Sequence, residues 1–322
     1  MATGIVSVAA GLFEMRAVAV ALLAGNAVAY VALWVLFVAR AARYPRAVAR
    51  DFTSHERAPG YLTVVAGTCV LGVQLVVVWP WPAAAAVLWL LGTALYVVLI
   101  YAVFLALTVR GEKPPLARGI NGGWLVAVVA TQSVSILGSH VHASFPSTAQ
   151  EILFGSLCLW LAGGLLYVWI MGFILYRYFF VSMTPADMGP AYWIDAGAVA
   201  ISTLAGATLI GNAGSDPLLA ALRPFLGGLT LLFWATATWW IPMLALFGFW
   251  RHVLRRQPLR YEVQLWSLVF PLGMYTVCSF EAAATLGVPA LRAVAAVFVY
   301  VALGAWAATL LGLVRTLLGR RG

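Results

Sequence analysis

The chain has 322 residues, 64% of them hydrophobic and 9% charged, with a formal net charge of +9. So apolar a composition excludes an ordinary soluble domain and fits a polytopic helical membrane protein. No polar stretch is long enough for a separate soluble unit, so residues 1–322 read as a single transmembrane domain, and the positive charge reflects topology rather than a nucleic-acid partner.

Met1–Phe13 is apolar but only about half of the ~20 residues that a bilayer crossing needs. Either this first helix is short or the native start lies upstream of Met1. The second is expected, because a polytopic protein rarely opens halfway through a membrane helix. The opening residues do not follow the basic-then-apolar order of a cleavable signal. Full-length apolar segments follow at 17–39, 62–80, 83–108, 123–142, 152–181, 190–211, 224–249, 263–285 and 289–316. With the first, these predict an all-α integral membrane fold of ten helices.

Basic residues set the orientation. All but three of the 19 Lys and Arg lie on alternate connections or at the C-terminus: Arg40 to Arg57, Arg110 to Arg118, Arg177, Arg251 to Arg260 and Arg315 to Arg321. The other side holds Arg16, Arg223 and Arg292. The positive-inside rule then places both termini in the cytoplasm.

The helices alternate in kind. Even-numbered ones are long, aromatic and nearly free of polar groups, whereas odd-numbered ones are rich in Gly, Ser, Thr and Gln. The third carries Thr68 and Gly72, the fifth Thr131, Gln132 and Ser135, the seventh Asp195, Ser202 and Gly206, and the ninth Ser267 and Thr276. Polar side chains in a bilayer turn to protein or water, and small residues let helices approach closely. The odd helices are therefore expected to form an inner ring around a central pore, lined by these residues, with the even helices outside. This is a tandem array of five helical hairpins.

Within the ninth segment, Pro271 and Gly273 predict a kink, and Phe270 immediately before it either plugs the pore or packs as an ordinary aromatic. Asp195 reads as the acid clearly inside a span, with Ala198, Ser202 and Gly206 on its helical face. It is either a proton-coupling carboxyl or an interfacial residue near the start of a helix opened by Pro190. His140 and His142 lack a third metal ligand and read as loop residues; no metal or other cofactor is expected. Cys69, Cys158 and Cys278 sit in apolar runs without metal spacing and read as small core residues. Arg177 between Tyr176 and Tyr178 reads as an interfacial anchor, and Trp239 and Trp240 as outer-helix packing. No hydrolase or nucleotide-binding motif is present, so an enzymatic reading has no support.

Six stretches in order, Met1–Ser7, Val65–Gly72, Gly119–Ser133, Pro185–Thr203, Leu231–Pro242 and Trp266–Tyr275, make the chain similar to one family. It resembles the tellurite-resistance/C4-dicarboxylate transporters, which include yeast malate and sulfite transporters and plant slow-type anion channels. That resemblance implies five hairpins, a homotrimer with one pore per subunit, and an aromatic pore gate in the Phe-Pro of the ninth helix, here Phe270. Two residues depart from the family pattern: Ala2 stands where a glycine is usual, and Asp195 where Asn is common. A fixed negative charge opposes anions unless it is protonated or off the path.

The expected function is a Phe-gated channel or transporter for small inorganic or organic anions in the cell (inner) membrane, in contact with the lipid bilayer and with no nucleic-acid partner. Two alternatives stand beside it: a proton-coupled carrier of C4-dicarboxylates or an oxyanion such as sulfite, tellurite or malate, using Asp195, and a membrane scaffold without transport.

Overall fold

The computed structural model describes residues 1–319, so Arg320 and Arg321 of the basic C-terminus lie outside the described residues. Among the described residues the secondary structure is entirely helical. The principal helices are α1 (Ala2–Leu12), α2 (Arg16–Arg43), α3 (Thr63–Val77), α4 (Pro82–Thr108), α5 (Val126–Val141), α6 (Ala149–Phe180), α7 (Ile194–Gly211), α8 (Pro217–Phe249), α9 (Trp266–Thr285) and α10 (Pro289–Gly319). Counting their lead-in turns, α2 to α10 are long and apolar enough to cross a membrane, and α1 is shorter.

Element ends follow local chemistry. α8 begins at Pro217, a turn or two earlier than the expected 224, because the Asp216 carboxylate accepts the Leu219 amide at 2.9 Å as an N-cap and Pro217 takes the first helical position. Pro224 and Pro242 then lie inside a continuous helix. α9 likewise runs unbroken through Pro271, in its second turn, where the Ser267 carbonyl is the group that loses its donor.

The two kinds of helix differ in burial as their composition requires. In the most apolar stretch of the α7 segment 94% of residues are buried, against 22% in α10, so the first meets protein on all sides and the second is left for lipid. α1 packs on α3, α3 on α5, α5 on α7, α7 on α9, and α9 back on α1. Each even helix touches two flanking odd ones: α2 lies on α1 and α3, α4 on α3 and α5, α6 on α5 and α7, α8 on α7 and α9, and α10 on α9 and α1.

Glycines permit the close approaches. A Cβ on Gly273 of α9 would come within 2.8 Å of Ile5 in α1, one on Gly197 of α7 within 2.7 Å of Pro271 in α9, and one on Gly72 of α3 would strike Leu137 of α5. Gly273 therefore has a packing role distinct from the kink expected of it.

A feature with no strong sequence signal is a 3₁₀ turn ahead of each of four odd helices: Ala58–Leu62, Gly122–Leu125, Pro190–Trp193 and Val263–Leu265. Successive turns touch one another, gathering the N-termini of α3, α5, α7 and α9 at one end. At the second contact a Cβ on Gly122 would lie 2.5 Å from the Ala191 carbonyl oxygen and 2.9 Å from the Tyr192 Cα. Both are backbone atoms that cannot rotate away. Gly122→Ala should therefore destabilise the protein by about 2 kcal/mol, seen as a lower thermal midpoint in detergent. Gly67→Ala, with no atom within 4 Å of its new methyl, should leave the midpoint unchanged or slightly raised.

Candidate functional site

At the centre of the cycle is a cavity of about 10 Å³, lined by Ile5 of α1, Cys69, Val70 and Val73 of α3, Ser133 and Ile136 of α5, Ile201 and Leu204 of α7, and Met274 of α9. All five odd helices contribute. The space is at the lower limit for one water molecule, and its lining is apolar but for one hydroxyl.

This lining is not the polar set expected from composition. The Thr68 hydroxyl meets that of Tyr30 in α2 at 2.8 Å, and the Thr131 hydroxyl meets that of Tyr96 in α4 at 3.1 Å. Ser135 donates to the Ser156 carbonyl of α6 at 2.7 Å. Gln132 donates to the Trp160 carbonyl and to Ser202, both at 3.1 Å, while the Trp160 indole donates to the Ser202 carbonyl at 2.8 Å. Gly206 faces Thr230 of α8 and Trp160 of α6, and Gly72 faces Leu137. Thr276 donates to the Leu272 carbonyl of its own helix at 2.9 Å, and Ser267 is half-buried at the start of α9. The physical reason is common to most of them. A hydroxyl or amide in an apolar interior is stabilised by a fixed partner, and the backbone and aromatic hydroxyls of the even helices supply one.

Phe270 is 1% exposed and lies one turn before Met274. The contacts of α9 settle its direction. Gly273 meets α1 on one side and Pro271 meets Gly197 of α7 on the other, and Phe270 and Met274 occupy the sector between. Met274 lines the cavity, and the Phe270 ring lies 3.5 Å from where a Gly197 Cβ would sit.

Asp195, in the first turn of α7, is fully buried. One carboxylate oxygen accepts the Tyr178 hydroxyl at 2.6 Å, and the other has no hydrogen-bond partner. Its carbonyl accepts the Tyr167 hydroxyl at 3.2 Å, which in turn accepts the Trp240 indole N–H at 3.0 Å. The carboxyl thus faces α6 and α8, away from the central cavity. Trp240 is buried in this cluster while Trp239 is exposed, so only Trp239 behaves as outer packing. A second acid, Glu281, lies in the α9 segment and escaped the reading that counted Asp195 alone. Among the described residues no three His, Cys, Asp or Glu gather as a metal site.

Two arginines tie the lead-in segments together. Arg177, at the end of α6, is more than an anchor: it donates to the Ile120 carbonyl at 2.6 Å, ahead of α5, and pairs with Asp187 at 3.3 Å, ahead of α7. Arg251, just past α8, donates to the Met188 carbonyl at 3.0 Å and pairs with Glu262 at 3.5 Å, ahead of α9. Asp187 also accepts the Thr184 hydroxyl and amide, at 2.5 and 2.8 Å. These bonds, the hydroxyl's first, hold its carboxyl below the ordinary range, with Arg177 adding to the effect.

The family model described as voltage-dependent anion channel (SLAC1) matches residues 1–314. Uncharacterized membrane proteins MT1776 and Rv1735c, from Mycobacterium tuberculosis strains CDC 1551 and H37Rv, are each 36% identical over 160 residues, covering 49% of this chain and 81% of theirs. Uncharacterized transporter MJ0762 of Methanocaldococcus jannaschii is 24% identical over 251 residues, 76% of this chain and 69% of its own.

Because the Asp187 carboxyl is depressed in the folded protein, its contribution is complete above the ordinary carboxylate range and is lost as pH falls through the lower, folded value. The protection factors of the Thr184–Gly189 amides, taken against the intrinsic exchange rate at each pH, should therefore fall on acidification below about pH 4. In Asp187→Asn the protection should already be severalfold lower at neutral pH, with little further loss on acidification.

Proposed function

The chain belongs to the voltage-dependent anion channel family, and on that footing we propose that it is an anion-conducting pore held shut by Phe270. The ten helices cross the membrane as five tandem hairpins, with α1, α3, α5, α7 and α9 as the inner ring and the even helices facing lipid. The chain acts as one transmembrane unit, assembled as a homotrimer with a pore in each subunit. The basic connections place both termini on the cytoplasmic side of the cell membrane.

The observation that carries this reading is the small central void to which every odd helix contributes, with Met274 in its wall and Phe270 one turn away on the same face. A structural core has no need of five helices converging on an apolar axis. An apolar constriction with so little free space dewets and therefore blocks ions. Moving the Phe270 ring, or flexing α9 at Pro271 and Gly273, opens it.

Selectivity comes from a diffuse positive field rather than a buried cation on the axis. Four inner-helix N-termini converge at the cytoplasmic end, beside Arg177 and Arg251, and their dipoles favour anions. Weak sites of this kind suit passage of small inorganic or organic anions without tight capture.

A proton-coupled carrier remains the second reading. What favours it is the unpartnered oxygen of the fully buried Asp195. Anion flux into proteoliposomes separates the two. Phe270→Ala should raise flux at least tenfold without dependence on an imposed proton gradient, and Asp195→Asn should leave that flux in place. Wild-type flux driven by a proton gradient and abolished in Asp195→Asn would establish the carrier instead.

A further inference from the structure

Glu281 lies eleven residues beyond Phe270 and seven beyond Met274, which returns it to the same face of α9. The contacts that bracket this face, Gly273 on α1 and Pro271 on α7, place it toward the axis, about 16 Å from Phe270 along the helix. On the orientation proposed above this is the outer mouth. The residue is half-buried, and the hydrogen bond made there uses its backbone carbonyl, which accepts the Thr285 hydroxyl at 2.9 Å.

Among the described residues the cations of this end form no ion pair with it: Arg223 of α8 and Arg16 at the start of α2 are both exposed and unpaired. Arg292 of α10 lies over the Phe280 ring at 4.4 Å rather than on Glu281. α8 supplies the Trp234 indole, which donates to Ser279. α1 leads into Phe13, edge-on to Phe280 at 5.3 Å, and then into Glu14, another acid. α7 ends at Asn212, whose amide is bound to the Ser139 carbonyl. Among the described residues no ion pair includes Glu281. An unpaired acid on the axis is the wrong sign for an anion path unless its charge is used.

We propose that Glu281 is the charge-selective group of the outer mouth: ionised, it opposes anions arriving from outside, and protonated from the external water it lets them in. The inference rests on the pore reading. Because the neutral form admits anions, inward flux rises as the external pH falls. A unit charge in a narrow mouth, only partly screened by water, changes the flux on the order of tenfold.

The test uses proteoliposomes containing the Phe270→Ala chain, with the internal pH fixed and the external pH lowered from about 8 to about 4, a window that spans carboxyl titration. Chloride influx should rise on the order of tenfold. With Glu281→Gln added, influx should be high at every pH; with Glu281→Asp added, the pH dependence should return. A pH dependence that survives in Glu281→Gln overturns the inference, as does Phe270→Ala influx indifferent to external pH. A Phe270→Ala chain that passes no anion overturns the pore reading, and this inference with it.

Discussion

Everything in this structure depends on five short helices packing closely enough to close a cycle. Helix axes can approach to this degree only where a side chain is missing, and Gly72, Gly197 and Gly273 supply the gaps, each filled by a named neighbour, Leu137, Pro271 and Ile5. The result is an axis so narrow that its void amounts to about 10 Å³. In the proposed pore, closure is a property of the whole ring, with Phe270 adding to a constriction that Met274 and its apolar neighbours define.

That packing forces the second feature, the outward turn of the polar groups. With so little room at the axis, Thr68, Thr131, Gln132, Ser135 and Ser202 bond to the even helices or to each other. The even helices are therefore more than a lipid-facing sheath: Tyr30, Tyr96, Ser156 and Trp160 complete the hydrogen bonding of the inner ones. Asp195 obeys the same rule through Tyr178, whose hydroxyl its carboxyl meets on α6. At one end the 3₁₀ turns, Arg177 and Arg251 bind the lead-in segments of α5, α7 and α9 into a collar.

Helix existence was legible in the sequence because about 20 apolar residues in a row have few other uses. The contrast between odd and even helices was legible too, since Gly, Ser and Thr concentrate where helices meet protein. What the sequence leaves open is the step from polar to pore-lining. Hydrophobic patterning says that Ser202 avoids lipid, but not whether it faces Gln132 or the axis, and those directions differ by a rotation that only neighbouring helices fix. The apolar lining, such as Ile201 with Leu204 or Val70 with Val73, looked like ordinary core for the same reason. Glu281 lies in the last turns of α9, where sequence alone does not separate an axial acid from an interfacial one. The collar went unseen because its bonds end on the carbonyls of Ile120 and Met188, and backbone acceptors carry no residue-type signal.

The central claim is that the axis is a closed path opened by moving Phe270, and access to Ser133 tests it most directly. Ser133 lines the central cavity and is 2% exposed, so Ser133→Cys, in a chain whose three native cysteines are replaced by Ala, places a thiol on the axis with little change in shape. The thiol should resist a small anionic thiosulfonate when Phe270 is present. It should be modified readily, and modification should reduce anion flux, when Phe270→Ala is added. Equal protection in both chains would show that the axis is packed core and contradict the account.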